Sequence, residues 1–255
     1  MTERPTILVT GSAGLIGGVL RERLADRYVV RGLDRHPAPD TAVGDVVEID
    51  QVERAARGAR AIVHLAGNPS PDAAWENVLR DNVVGTWTVF EAARRAGVPR
   101  VVFASSNHVV GRYESERAPA LYELDDDFVV GADWEPKPDS PYALSKLIGE
   151  QIGRFYADTY GLAVVCLRIG SVLPADDPRV AAGGSAERFA RYRATWLSHR
   201  DLAELVAAAL RADVRWAVVY GVSDNPRRFW DPAPARDVLG FVARDRAPVA
   251  PASAR

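Results

Sequence analysis

GSAGLIG, at Gly11–Gly17, follows a short apolar run at Thr6–Thr10 and begins a segment with helical spacing over Leu15–Arg27. This order predicts a buried strand, a tight glycine turn and a helix. Glycine lets the backbone turn sharply and approach a ligand closely, and the last glycine lets strand and helix pack without an intervening Cβ. The free N–H groups and the dipole at the helix start attract a diphosphate. An ordinary glycine turn would look similar, so the run needs support from its context.

Strand and helix patterns alternate through the first two thirds of the chain. Further strands are predicted at Tyr28–Leu33, Val46–Ile49, Ala61–Leu65, Arg100–Ala104 and Ala163–Arg168, and helices at Val52–Arg57, Asp72–Ala96 and Pro141–Tyr160. The alternation predicts an α/β protein with a doubly wound (Rossmann) parallel sheet, helices on both faces and right-handed crossovers. The last third should add small helices and loops over the open end of the sheet, and the tail from Val242 should fray. Residues 1–255 are predicted to be one domain.

Composition excludes several classes of protein. The 255 residues carry 32 basic and 34 acidic side chains, a formal net charge of −2, which gives no overall attraction to nucleic acid or anionic membranes. No apolar run approaches the ~20 residues of a membrane span, and Met1–Pro5 does not resemble a signal peptide. Cys166 is the single cysteine, so disulfide frameworks and cysteine-rich zinc sites are excluded within one chain. The acidic run Asp125–Asp127 is interpreted as a solvated face, and no metal site is predicted. A cytoplasmic protein is expected.

Asp34 supports a dinucleotide site. It ends the second predicted strand, 20 residues after Gly14. A carboxylate at that place accepts hydrogen bonds from both adenosine ribose hydroxyls and repels a 2′-phosphate, which favours NAD over NADP. The adjacent Arg35 could tolerate a 2′-phosphate, although a solvated loop charge is the preferred interpretation. Asp45 and Val46, at the third predicted strand, are candidates for binding and covering the adenine, with a surface strand-edge pair as the alternative.

Tyr142 and Lys146 are the candidate catalytic pair. Residues four apart share one face of a helix, so the phenol and the ammonium should point into the same space. Tyrosine is a poor base at neutral pH, but a nearby lysine together with an oxidised nicotinamide lowers the pKa of the phenol. Lys146 is one of only two lysines among 32 basic residues, which indicates a place where arginine cannot substitute. Ser106, at the end of the fifth predicted strand, is the third catalytic candidate, and Ser105 is interpreted as structural.

Several motifs together resemble the extended short-chain dehydrogenase/reductases, also called the NAD-dependent epimerase/dehydratase family. They are GSAGLIG, HLAG at His64–Gly67, Asn82 with Gly85-Thr86, the Ser105-Ser106 strand end and YALSK at Tyr142–Lys146, covering residues 6–172. The resemblance implies NAD as cofactor. The implied cofactor-binding residues are Gly11, Ala13, Gly14, Leu15, Ile16, Gly17, Asp34, Asp45, Val46, Leu65, Ala66, Gly67, Asn82, Tyr142, Lys146 and Ile169.

Within that family the closest resemblance is to the uronate dehydrogenases. It rests on FASSNHVVG at Phe103–Gly111, LRIGSV at Leu167–Val172, TWLSHRDL at Thr195–Leu202 and Trp230-Asp231, and extends the similarity to residues 6–232. It implies oxidation of the anomeric carbon of a hexuronate to its aldarolactone, a sugar as the small-molecule partner, and a homo-oligomer. Substrate-binding elements are expected mainly in 106–142 and 170–235. The implied substrate-binding residues are Ser106, Asn107, His108, Tyr142, Ser171 and Arg191.

Two departures bear on the identity of the sugar. Leu15 stands where a glutamine is expected, and the segment from Arg112 to Tyr142 is longer than in that family. Another sugar, such as a hexose phosphate meeting Arg191 or Arg193, is therefore an alternative substrate. A nucleotide-sugar epimerase or dehydratase is a further alternative, disfavoured because only 109 residues follow Lys146. A non-catalytic dinucleotide sensor would be expected to lack part of the Tyr–Lys–Ser set, which is complete here.

Overall fold

Seven parallel strands form one sheet in the computed structural model, which describes residues 4–250. The order across the sheet is β3-β2-β1-β4-β5-β6-β7. The strands are β1 (Thr6–Thr10), β2 (Val29–Asp34), β3 (Thr41–Val43), β4 (Ala61–His64), β5 (Arg100–Ser106), β6 (Ala163–Ile169) and β7 (Trp216–Gly221). The predicted fold class is confirmed. The strand order reverses at β1, so a crevice opens between the carboxyl ends of β1 and β4, where doubly wound folds bind ligands.

Helices cover both faces of this sheet. The α-helices are α1 (Leu15–Leu24), α2 (Ile49–Ala56), α3 (Trp75–Val78), α4 (Gly85–Arg95), α5 (Gly111–Ser115), α6 (Pro141–Tyr160), α7 (Pro178–Ala182), α8 (Ala186–Thr195), α9 (His199–Arg211) and α10 (Ala233–Leu239). A π-helix spans Leu79–Val84, and 3₁₀-helices span Asn107–Val110 and Ala120–Tyr122. No helix among residues 4–250 is long and apolar enough to cross a membrane.

The two faces bury separate apolar layers. α1, α9 and α10 pack on one face, where Leu20 and Leu205 are fully buried. α2, α4 and α6 pack on the other, where Phe90 and Tyr156 are buried against Phe103 of β5. α6 approaches β5 so closely that a Cβ at Gly149 would lie 2.4 Å from the Phe103 ring. This contact brings the start of α6 to the end of β5.

Three local predictions were wrong: those for the third strand, for the last third of the chain and for the tail. The third strand is Thr41–Val43 and not Val46–Ile49, because the chain turns at Val46–Val47 and α2 already begins at Ile49. The last third is more than small helices and loops: it supplies the long helix α9 and a seventh strand, β7, which pairs with β6.

The tail does not fray over its described part. The backbone N–H groups of Arg244 and Asp245 donate to the carboxylate of Asp201, which is 1 % exposed. Ser198 also donates to the carboxylate of Asp245, at 2.6 Å. These hydrogen bonds therefore hold the described part of the tail in place, although the tail has few large apolar residues.

The long segment between α5 and α6 has its own small core. Leu121, Tyr122 and Val130 pack against Phe229 and Trp230 in a separate apolar cluster. A parallel bridge joins Val130 to Trp230, which ties this segment to the C-terminal third. The two segments expected to hold the substrate therefore pack against each other.

Candidate active site

A cleft of about 880 Å³ lies over the carboxyl ends of the central strands. Its wall contains most of the candidate site residues predicted from the sequence, although they come from distant parts of the chain. The nominated residues in its wall are Gly11, Ala13, Gly14, Leu15, Ile16, Gly17, Asp34, Val46, Leu65, Ala66, Gly67, Ser106, Asn107, His108, Tyr142, Lys146, Ile169 and Ser171. The nominated residues absent from its wall are Asp45, Asn82 and Arg191.

The glycine turn in the cleft wall has no room for a side chain at Gly11 or Gly17. Gly11 has a φ of +74°, and a Cβ at Gly17 would lie 2.5 Å from the carbonyl oxygen of Gly11. Gly14 precedes α1, and no side chain caps the first N–H groups of that helix. These donors remain available for an anion, as a diphosphate site requires.

Asp34 occupies the end of β2 at the edge of the cleft. Its carboxylate accepts hydrogen bonds from the backbone N–H groups of Ala13, at 3.0 Å, and His36, at 2.9 Å. The guanidinium of Arg35 is paired with Asp81 at 2.9 Å. The arginine that could have met a 2′-phosphate is therefore held by another carboxylate, whereas the free lone pairs of Asp34 can accept from ribose hydroxyls.

Asp45 and Asn82 lie outside the cleft wall and form polar contacts with other residues. The carboxylate of Asp45 is paired with Arg80 at 2.7 Å; burial opposes the charge, but the hydrogen bond from Arg80 lowers the pKa of Asp45. The neighbouring Val46 does line the cleft. Asn82 lies in the π-helix, where its Oδ1 accepts from the N–H of Asn68 at 2.6 Å and its Nδ2 donates to Ser145 at 2.9 Å. Asn82 thus connects the loop after β4 to α6.

Tyr142 and Lys146 lie in the first two turns of α6, in the middle of the cleft wall. The helix begins here because Ser140 accepts a hydrogen bond from the N–H of Ala143 and Pro141 occupies the first helical position. Lys146 Nζ lies 5.7 Å from the centre of the Tyr142 ring. The predicted sharing of one helix face is confirmed.

Burial dominates the electrostatics of this pair. It lowers the pKa of Lys146 to about 8, and the part of the chain that the structure describes forms no hydrogen bond to Nζ. Burial also raises the pKa of Tyr142, and the hydroxyl of Ser106 opposes that shift. In the protein by itself the phenol is therefore a weaker acid than usual, and the lowering expected from the sequence remains a prediction for the complex with an oxidised nicotinamide.

The end of β5 adds three polar residues beside Tyr142. Ser106 caps the 3₁₀-helix that follows by accepting from the N–H of His108 at 3.2 Å. Asn107 is 4 % exposed, and its Nδ2 has no hydrogen-bond partner within residues 4–250. A buried donor without a partner is costly, which is consistent with a place for a ligand oxygen. Ser105 donates to Glu150 at 2.6 Å, as its structural interpretation predicts.

Asp139 is a site residue that sequence reasoning missed. Its Oδ2 lies 2.7 Å from Nδ1 of His108, whose ring meets the Tyr142 ring edge-on at 6.0 Å. Burial opposes the charge of Asp139, but the hydrogen bond with His108 lowers the pKa of Asp139 overall. The Asp139 carboxylate lies against Gly111, where a Cβ would clash with it. Nothing in the local sequence distinguishes Asp139 from a loop residue that precedes a helix cap.

Arg191 lies outside the cleft wall and is connected to it through Thr195. It is on α8, and its Nε donates to Glu114 Oε1 at 2.7 Å. Ser171, in the cleft wall, contacts the hydroxyl of Thr195 at 2.8 Å, and that hydroxyl donates to the carbonyl oxygen of Arg191. Glu114 is a second residue that the sequence did not nominate. No group of three or more potential metal ligands occurs within the described residues.

Comparison with known proteins places this arrangement in a family. The chain matches the NAD dependent epimerase/dehydratase family over residues 7–219. The chain belongs to that family. NAD is accordingly the cofactor, and the resemblance inferred from the motifs is confirmed.

This chain is similar to proteins that are named for sugars of different charge. It is 38% identical to the NAD-dependent glucose-6-phosphate dehydrogenase of Haloferax volcanii, over 94% of this chain and 93% of that protein. It is 39% identical to the L-arabinose 1-dehydrogenase (NAD(P)(+)) of the same organism, over 94% and 96%. A mutant of uronate dehydrogenase from Agrobacterium tumefaciens, complexed with NAD, has a similar structure: TM-score 0.79, 34% identity, 96% of this chain and 86% of that chain.

The residues of this chain fit the family's cofactor. The turn at Gly11–Gly17 leaves space and free N–H groups for a diphosphate, and Asp34 faces the place of the adenosine ribose. The ammonium of Lys146 lies in the cleft wall and has no hydrogen-bond acceptor within residues 4–250, so ribose hydroxyls would satisfy it.

Proposed function

We propose that this protein oxidises a sugar at its anomeric carbon with NAD, and that a hexuronate, converted to its aldarolactone, is the first candidate substrate. One observation carries the proposal. A single cleft contains the glycine turn, the Tyr142–Lys146 pair, Ser106 and Asn107, whose Nδ2 has no hydrogen-bond partner among the described residues. This is the set that a dehydrogenation of a sugar hydroxyl requires.

Each member of the set has a distinct role in the proposal. Tyr142, as phenolate, removes the proton of the anomeric hydroxyl, while Ser106 holds the oxygen of that hydroxyl. Lys146 binds the nicotinamide ribose and stabilises the phenolate. Bound NAD supplies the acceptor for the hydride that leaves the anomeric carbon. General-base catalysis of this kind contributes about 10²–10⁴-fold, and positioning of the two reacting groups contributes the rest.

Four further residues would recognise the sugar. Asn107 Nδ2 is a donor without a hydrogen-bond partner in residues 4–250, and Asp139 orients the ring of His108 beside Tyr142. Ser171 lines the far end of the cleft. Arg191 would meet the carboxylate of a hexuronate, because a planar guanidinium forms two parallel hydrogen bonds with a carboxylate.

A neutral aldose or a hexose phosphate is the second candidate substrate. The pairing of Arg191 with Glu114 favours the neutral aldose, since the carboxylate offsets the cation that an anionic sugar would meet. The relative named for L-arabinose supports the neutral aldose, and the relative named for glucose 6-phosphate supports the hexose phosphate.

We also propose a homo-oligomer formed through α4 and α6. Trp87 is 47% exposed, Phe155 43% and Tyr160 51%, and the rings of Trp87 and Phe155 stack at 6.0 Å. Large aromatic groups exposed side by side are typical of a surface that pairs with another protein. A second copy of the same helix pair would cover them.

The test is a panel of hexuronates, neutral aldoses and hexose phosphates, each with NAD and with NADP, followed by the absorbance of the reduced cofactor. Turnover of a hexuronate with NAD supports the first candidate, and turnover of a neutral or phosphorylated sugar alone supports the second. Reduction of neither cofactor by any sugar would overturn the proposal.

A further inference from the structure

Arg191 belongs to a three-residue polar cluster outside the cleft wall. Its Nε donates to Glu114 Oε1 at 2.7 Å, and its Nη2 lies 3.5 Å from Glu114 Oε2. The hydroxyl of Tyr122 donates to Glu114 Oε1 at 2.7 Å. The side chain of Glu114 is 9% exposed, whereas that of Arg191 is 32% exposed. The carboxylate is thus held in a fixed, buried place, and the guanidinium is the partner that reaches outward.

This cluster joins the two segments expected to hold the sugar. Glu114 is on α5, which directly follows the 3₁₀-helix that contains Asn107 and His108 of the cleft wall. Arg191 is one helical turn before Thr195, whose hydroxyl contacts Ser171 of the cleft wall. Each member of the pair therefore lies on an element that is connected to the cleft wall.

The charges of the pair decide what Arg191 can bind. Burial opposes the charged guanidinium, but the Glu114 carboxylate raises the pKa of Arg191, so the guanidinium keeps its charge and the carboxylate beside it offsets that charge. Glu114 occupies the Nε–Nη2 edge of the guanidinium, which leaves Nη1 and the outer side of Nη2 for a ligand. An anionic group placed there is attracted by Arg191 and, from a longer distance, repelled by Glu114, so its net attraction is weaker than to an unpaired guanidinium. A neutral hydroxyl donates to one group or accepts from the other without that repulsion.

We propose that Glu114, held by Tyr122, is a specificity-determining residue that acts through Arg191 and lowers the preference of the enzyme for anionic sugars over neutral ones. The proposal rests on the proposed function, because it concerns which sugar the same cleft accepts. It makes the charge selectivity a property of the Glu114–Arg191 pair, and not of Arg191 alone.

The test compares sugars that differ only at C6: glucuronate with glucose, and galacturonate with galactose. In Glu114→Gln the amide keeps the shape and the acceptor oxygen but removes the negative charge. The ratio of kcat/KM for the uronate to that for the neutral sugar should rise about tenfold or more, mainly through KM for the uronate. Glu116→Gln is the matched control, since Glu116 is close in sequence and 54% exposed, and its ratio should stay within about twofold of the wild type.

Two double variants address a failure of Glu114→Gln to fold and the dependence of its effect on Arg191. If Glu114→Gln does not fold, Glu114→Leu combined with Tyr122→Phe replaces the buried polar groups with apolar ones and leaves Arg191 free; the ratio should rise in the same direction. Arg191→Met combined with Glu114→Gln should abolish the gain, because Glu114 acts through the guanidinium.

Three outcomes would overturn the proposal. They are an unchanged ratio in Glu114→Gln, an equal rise in Glu116→Gln, or a gain that persists without Arg191. The proposed function fails in a different way, since in that case the wild type oxidises none of the four sugars and the inference about Glu114 falls with it. Turnover with an unchanged ratio overturns the assignment of Glu114 alone.

Discussion

Tyr142 and Lys146 carry the proposed chemistry in an environment that opposes both of their charged forms. Burial raises the pKa of the Tyr142 phenol and lowers that of Lys146 to about 8, so at pH 7 the phenol keeps its proton and the ammonium keeps its charge at an energetic cost. A catalytic pair is commonly destabilised in this way until its ligand is bound. This environment predicts one effect of substitution on turnover and one on stability.

Replacing Tyr142 by phenylalanine should reduce turnover by at least about 10²-fold, because the ring keeps its packing but no longer accepts a proton. The dissociation constant of NAD should change little, since the glycine turn and Asp34 are untouched. Steady-state rates and calorimetric titration with NAD measure the two effects separately. Tyr160→Phe, at an exposed position on the same helix, is the control and should keep full activity. Equal loss of turnover and NAD binding would mean that Tyr142 is only structural.

Replacing Lys146 by methionine should stabilise the protein at pH 7 in the absence of cofactor. The pKa of Lys146 is lowered from 10.5 to about 8, so below pH 8 the folded state carries a buried cation that the unfolded chain solvates freely. The unfolded chain binds more protons between pH 8 and 10.5, and wild-type stability therefore rises with pH across that window. Removing the cation should raise the free energy of unfolding by about 3 kcal/mol at pH 7.

Urea unfolding at pH 7 and pH 10 checks both parts of this prediction. The difference between Lys146→Met and the wild type should shrink at the higher pH. Lys137→Met, at a lysine side chain that is 39% exposed, should leave the stability unchanged. A variant at Lys146 that is less stable at pH 7 would show that the ammonium has a partner in the folded protein.

At the scale of elements, α6 is held to the sheet by a buried ion pair. Arg168 of β6 donates to both oxygens of Glu150 on α6, at 2.9 and 3.0 Å, and both side chains are 3% exposed. Ser105 of β5 donates to the same carboxylate, and Arg168 also contacts the hydroxyl of Tyr220 on β7. Glu150 lies one turn after Lys146 on α6. The Glu150–Arg168 ion pair therefore positions the turn that carries Lys146 against β5, β6 and β7.

Arg168→Met should destabilise the protein by about 3–5 kcal/mol, because it leaves the Glu150 carboxylate buried without its cation. Combining Arg168→Met with Glu150→Leu should recover most of this loss, since the apolar pair needs no desolvation of charge. Thermal and urea unfolding measure the series. Arg154→Met breaks an exposed pair with Asp158 on the same helix and should cost less than about 1 kcal/mol. A double variant no better than the single one would contradict the ion-pair explanation.

At the scale of the whole molecule, the exposed aromatic face of α4 and α6 predicts the oligomeric state. The combined substitutions Trp87→Glu and Phe155→Glu should convert an oligomer into monomers, because they place charges in the centre of the proposed contact. Light scattering after size-exclusion chromatography measures the mass. Val180→Glu is the control, since Val180 is 64% exposed but lies on α7, away from this face. A monomeric wild type would refute the proposed contact.

The same scale shows where sequence reasoning succeeded and where it stopped. α6 was predicted with its correct ends because Ser140-Pro141 begins it and Gly161, in the left-handed conformation, ends it, and these signals are local. The third strand and β7 were misplaced or missed because short strands depend on their neighbours in the sheet more than on their own residues. The anchoring of the tail by Asp201 was invisible for the same reason: its partners are more than forty residues away.

The sequence by itself determined the α/β class, the glycine turn, the Tyr142–Lys146 spacing and membership of an NAD-dependent family, because each depends on residues close together in the chain. Tertiary structure alone decided that Asp139 contacts His108, that Asp45 is paired with Arg80, and that Glu114 neutralises Arg191. These pairs form across long separations, and electrostatic energy depends on distance and burial in space.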